Sequence, residues 1–85
     1  MADRYSVCQF LFGGGHEYVR WGVTAEEAVM AARHYTDSVA ARMGVVERVI
    51  ITEDGTDDTV FEWLKGEGVV FPTQEDLQEL RIQEG

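Results

Sequence analysis

Cysteine is almost missing from this chain. Cys8 stands alone among 85 residues, so no internal disulfide can form. The opening Met-Ala-Asp-Arg-Tyr has no apolar signal region. No apolar run approaches the roughly 18 residues of a membrane span. A reducing cytosol is therefore the expected compartment. Positive charge is scarce as well: seven Lys and Arg stand against sixteen Asp and Glu, a formal net charge of −9. That balance repels nucleic acid and anionic membrane, and attracts basic surfaces.

What is present suits a folded domain. Apolar residues make up 45% of the chain and aromatics 11%, enough for one modest core over residues 1–85. The charge is uneven. Residues 1–46 carry five acids and four bases, whereas residues 47–85 carry eleven acids and three bases, Arg48, Lys65 and Arg81. Acidic surfaces also serve solubility alone, and that reading stands beside any functional one.

Periodicity predicts one long helix over about 24–43. Thr24-Ala25-Glu26-Glu27 is a capping box, in which hydroxyl and carboxylate satisfy each other's free amides. Behind it Ala25, Ala28, Val29, Ala32, Tyr35, Val39, Ala40 and Met43 form one stripe, small enough to lie close on a sheet. Arg33 and Asp37 read as a surface ion pair, and Gly44 supplies the left-handed stop. The rest reads as strand and turn. Tyr5–Phe12 and Glu17–Val23 flank Gly13-Gly14-Gly15-His16. Val45–Thr52 and Thr59–Leu64 flank a loop at Asp54-Gly55, longer than the two-residue minimum. In the second strand Val19, Trp21 and Val23 are expected on one face, opposite Tyr18, Arg20 and Gly22.

Val69-Val70-Phe71 adds a short fifth strand closed by Pro72; Thr73-Gln74-Glu75-Asp76 suits the cap of a short C-terminal helix, and in the tail Leu77 to Gly85 the pair Leu77 and Leu80 suits that helix while Leu80-Arg81-Ile82 suits a strand. The expected fold class is α+β in the order ββαββ, an antiparallel sheet with the helix on one face. Both sheet faces carry large apolar residues, the Tyr5/Leu11 set and the Phe10/Phe12 set, and one helix covers only one of them. A partner copy, the C-terminal segment or another protein is left to close the second face.

No constellation for catalysis, cofactor or metal emerges. Cys8 is flanked by strand residues, the usual place of an inert thiol, with His16 at a hairpin tip and His34 on the outer helix face. One Cys and two separated His match no zinc spacing. Gly13-Gly14-Gly15 leads into a strand rather than a helix N-terminus, and no Lys follows it as a phosphate loop requires. The acids around Asp54 lack the alternate spacing of a calcium loop.

What remains is electrostatic. Glu53, Asp54, Asp57 and Asp58, followed by Glu62 and Glu67, and further on Glu75, Asp76 and Glu79, suggest a row of negative points. A Lys- and Arg-lined channel that holds a nucleic-acid backbone would attract such a row. In length, in its acidic second half and in its strand–helix–strand layout, the chain resembles the small acidic inhibitors of bacteriophages and mobile elements, anti-CRISPR proteins above all. The resemblance implies a non-enzymatic inhibitor in the cytoplasm of a bacterial host. It would occupy the basic nucleic-acid-binding site of a CRISPR effector or similar complex, with no cofactor. Glu53, Asp54, Asp57, Asp58, Glu62 and Glu67 are the expected contact residues. The alternative is a small structural or regulatory homodimer packed through the second sheet face.

Overall fold

Alternating apolar residues and glycine turns fold residues 4–72, the part described by the computed structural model, into one antiparallel sheet. Its strands are β1 (Tyr5–Leu11), β2 (His16–Val23), β3 (Val46–Glu53), β4 (Thr59–Leu64) and β5 (Gly68–Phe71). They lie in the order β2-β1-β3-β4-β5. Two helices, α1 (Ala25–Thr36) and α2 (Val39–Arg42), connect β2 to β3. The expected α+β class and antiparallel hairpins are present. The expectation of a short C-terminal helix falls outside the described residues.

The single long helix is corrected to two. Asp37 and Ser38 interrupt it just after Thr36: Asp37 caps the end of α1, and the Ser38 hydroxyl accepts the Ala41 N–H at 3.1 Å to start α2. A polar run of this kind offers the backbone side-chain partners in place of helical ones. The break also resets the helical phase. Ala28, Ala31 and Ala32 are buried on α1, but on α2 it is Ala41 that is buried, while Val39 and Met43 are exposed. Asp37 consequently pairs with Arg42 at 3.0 Å rather than with Arg33. Gly44 ends α2 as expected, at φ 83°. Its N–H bonds the Ala41 carbonyl, and the Val45 N–H reaches Ala40 at 2.9 Å, the paired bonds of a Schellman stop.

The capping box of α1 is complete. Thr24 Oγ1 accepts the Glu27 N–H at 3.2 Å, and Glu27 Oε1 accepts the Thr24 N–H at 3.1 Å. These bonds hold the Glu27 carboxyl below its ordinary pKa. The alanine stripe then seats α1 on β1, β2 and β3. The core beneath comprises Val7, Val46, Val49 and Ile51 with Ala28, Ala31, Ala32 and Ala41. Each fully buried valine or isoleucine contributes about 1.5–3 kcal/mol. β4 and β5 extend beyond the helix, where Val29, Ile51, Phe61 and Val69 line an open apolar cleft.

Strand β2 departs from simple alternation. Its register against β1 slips between Tyr5 and Val7 and again between Val7 and Cys8. Gly22 takes φ 66° at the first slip, a left-handed conformation suited to glycine. As a result Val19 and Val23 still pack on the core. Trp21, expected beside them, is 70% exposed and lines a groove with Ser6 and Tyr18. A bulge adds one residue to a strand and turns the following side chains over. Arg20 lies with its guanidinium 5.8 Å from the Tyr35 ring centre.

Candidate partner-binding surface

The face of the sheet away from the helices is built from the alternate residues of the same strands. Ser6, Cys8 and Phe10 on β1 lie opposite Thr52, Ile50 and Arg48 on β3. Ile50 in turn faces Glu62 on β4, and Glu62 faces Phe71 on β5. Tyr18 pairs with Cys8 and His16 with Phe10. This face is aromatic but not purely apolar, because Arg48 and Glu62 cross its middle. Arg48 Nε lies 2.6 Å from Glu62 Oε2. That N–H is not aimed for a hydrogen bond, so the contact is an ion pair held by charge. The Arg48 guanidinium also lies 5.0 Å from the Phe10 ring centre, within cation–π range.

The acids expected to make one row are divided among three places. Glu53, Asp54, Asp57 and Asp58 meet at the β3–β4 hairpin. The Glu53 N–H bonds the Asp58 carbonyl at 2.9 Å, and the Asp57 N–H bonds the Glu53 carbonyl at 2.8 Å, closing the loop. Asp57, rather than Gly55, takes the left-handed position, at φ 61°; aspartate tolerates it better than most residues. Glu62 is half-buried and engaged by Arg48. Glu67 lies in the turn at the other end of β4, about 17 Å away at the rise of an extended strand. Glu75, Asp76 and Glu79 lie outside the described residues. Lys65 does not neutralise the turn: its Nζ donates to the Arg42 carbonyl at the end of α2, 3.3 Å away.

At the hairpin the carboxylates are held in defined positions. Ser6, itself buried, donates its hydroxyl to Asp54 Oδ1 at 2.6 Å. The Asp54 N–H extends the β1–β3 ladder by bonding the Arg4 carbonyl at 2.9 Å. Glu53 Oε1 accepts from the Thr56 hydroxyl at 3.0 Å. Among the described residues, Asp54, Asp57 and Asp58 have no ion-pair partner. Beside them runs a shallow groove of about 410 Å³, lined by Ser6, Tyr18, Trp21, Thr52, Asp54 and Asp57.

The candidate groups for chemistry are apart. Cys8 is buried, and burial pushes its thiol above the ordinary pKa. Its Sγ contacts the Gln9 carbonyl at 3.8 Å. His16 sits between Phe10 and Tyr18, tilted to the first ring and edge-on to the second, and His34 packs edge-on to Tyr35. Among the described residues, no group of three or more His, Cys, Asp or Glu is placed to hold a metal ion. No helix among them is long and apolar enough to cross a membrane.

Comparison with protein-family models, with curated proteins and with solved structures finds no match.

Sequence reasoning did not find Ser6, Tyr18 and Trp21 as neighbours of the acids. Ser6 lies on the strand next to β3, so its contact with Asp54 depends on strand order, which no local pattern encodes. Trp21 depends on the bulge. The one available signal was Gly22 inside a strand pattern, which marks bulges as often as anything else.

Proposed function

We propose that this chain acts by binding a protein, not by catalysis, and that its acidic hairpin occupies a basic nucleic-acid-binding surface. The single observation that supports the reading is the placement of Asp54, Asp57 and Asp58. They are exposed together at one loop, with Ser6 fixing Asp54 and, among the described residues, no Lys or Arg in the groove lining. Three carboxylates on one short loop set up a local negative field that a Lys- or Arg-rich surface would answer. Such a surface holds nucleic acid largely by charge, with release of the cations condensed on the phosphate backbone, so an acidic competitor for the same surface would displace it. A bacterial CRISPR effector or a similar complex is the proposed target, and the contact is narrowed to the hairpin acids. Glu62 is engaged within the sheet and Glu67 lies at the far end of β4.

A displacement assay tests this. Purified effector holding fluorescent DNA is titrated with the chain at several salt concentrations. The expected result is saturable release of DNA that weakens as salt rises. Release should be lost on combined Asp54→Lys, Asp57→Lys and Asp58→Lys substitution, with an unchanged circular dichroism spectrum. DNA that stays bound at every salt concentration overturns the proposal for this target class.

A second reading is favoured by the apolar content of the open face. Phe10, Ile50, Leu64 and Phe71 are only partly covered there, and a homodimer would bury them against their own copies. Sedimentation at low micromolar concentration separates the two readings: a persistent dimer supports this one, and a monomer removes it.

A further inference from the structure

We infer that the groove between β2 and the β3–β4 hairpin is a receptor for a single cationic side chain, an arginine or lysine of a protein partner. The inference deepens the reading proposed above and rests on it. Its floor is Ser6 on β1, the smallest side chain of that strand. One wall is aromatic, from Tyr18 and Trp21 on β2, and the other is acidic, from Asp54 and Asp57 with Thr52. The two walls stand on strands that flank β1, so they are two strand spacings apart, about 10 Å. A guanidinium or ammonium seated between them has aromatic rings on one side and carboxylates on the other. Aromatic faces attract cations within about 6 Å of the ring centre, and charge-assisted hydrogen bonds to carboxylate are the strong ones.

Three independent features of the backbone produce this arrangement. Bulges in β2 bring Trp21 out of the core pattern to the groove. The left-handed residue Asp57 shapes the hairpin that brings its carboxylate to the same trough. The Ser6 hydroxyl bond orients Asp54 from below. Arg4, whose carbonyl accepts the Asp54 N–H, turns its Nη1 to the Gly22 carbonyl at 3.3 Å and is not among the described residues that line the groove. Acids alone would accept any positive surface. The aromatic wall is what adds selectivity for an extended cationic side chain over a metal ion.

The test uses the full chain and a capped tetra-arginine peptide, followed by two-dimensional NMR, with a capped tetra-glutamine peptide as control. The expected result is saturable movement of the Trp21 indole N–H and of the Asp54 and Asp57 amides, with the Glu67 amide still. Trp21→Ala should weaken binding about tenfold. Asp57→Asn should weaken it too, and Glu67→Gln should leave it within about twofold. Equal movement at Glu67, or Trp21→Ala binding like the parent, overturns the inference. Failure here is distinguishable from failure of the proposed function. DNA displacement that depends on the three aspartates but not on Trp21 would leave the hairpin acting by charge alone. Peptide binding without DNA displacement would leave the groove intact and move its partner elsewhere.

Discussion

Ile50 and Ile51 are neighbours on β3, yet they belong to two different surfaces. Ile51 points under the helices and is 3% exposed, packed with Val7, Val49 and the α1 alanines. Ile50 points the other way, between Cys8 and Glu62, and is only half-buried. The helix side is small, apolar and closed over β1, β2 and β3. The open side carries aromatics, one ion pair and, at its edge, the acidic hairpin. The difference teaches that stability and contact chemistry are separated by one residue step along each strand. A substitution that matters on one side should be nearly silent for the other property.

The strongest way to sharpen that contrast is truncation of the two isoleucines. Ile51→Ala should cost about 3 kcal/mol, since a cavity is left under a helix that cannot settle further. Ile50→Ala should cost about 1 kcal/mol, because its surroundings already admit water. Urea unfolding of both variants reads the difference, and equal losses would break the comparison.

Next in size is the start of α1, which belongs to the closed side. Thr24→Ala should destabilise by about 1 kcal/mol in thermal or urea unfolding, the usual cost of losing a helix N-cap. On the open side, Glu62→Gln should cost less than about 1 kcal/mol, because water still reaches both partners of its ion pair.

The smallest effect is one of pH. The Glu27 carboxyl has a lowered pKa in the fold because it accepts bonds from Thr24. A depressed folded-state pKa contributes stability that is present above the unfolded value and lost as pH falls through the folded one. An NMR titration of Glu27 should therefore move up toward the ordinary carboxylate value in Thr24→Ala. No upward movement would show that the Thr24 hydroxyl contributes nothing to the lowered pKa, which the backbone N–H of residue 24 would then hold alone.

How much of this was legible beforehand depends on the range of the interaction that decides it. The capping box at Thr24 and the stop at Gly44 are local, and both formed where the residues pointed. Thr59–Leu64 also formed where its residues pointed, although a register slip beside Val60 interrupts its alternation. The helix break just after Thr36 was written in the polar residues Asp37 and Ser38, but the apolar stripe ran across them and masked the second cap. Strict alternation places Trp21 on one face with Val19 and Val23. A bulge changes phase without changing composition, so the period alone gives the wrong face. The site was the least legible part. The acids at the hairpin were visible as a cluster, but Ser6 and Tyr18 reach them only through the strand order β2-β1-β3. Glu62 belonged to the expected row until the β3–β4 register placed it near Arg48.

The division of labour between the two faces is tested most directly by urea unfolding of Trp21→Ala. A large aromatic that is exposed for contact should be removable at a cost within about 0.5 kcal/mol of zero. A loss as large as that of Ile51→Ala would mean that Trp21 holds the fold together, and the open face could not then be read as a surface kept for a partner.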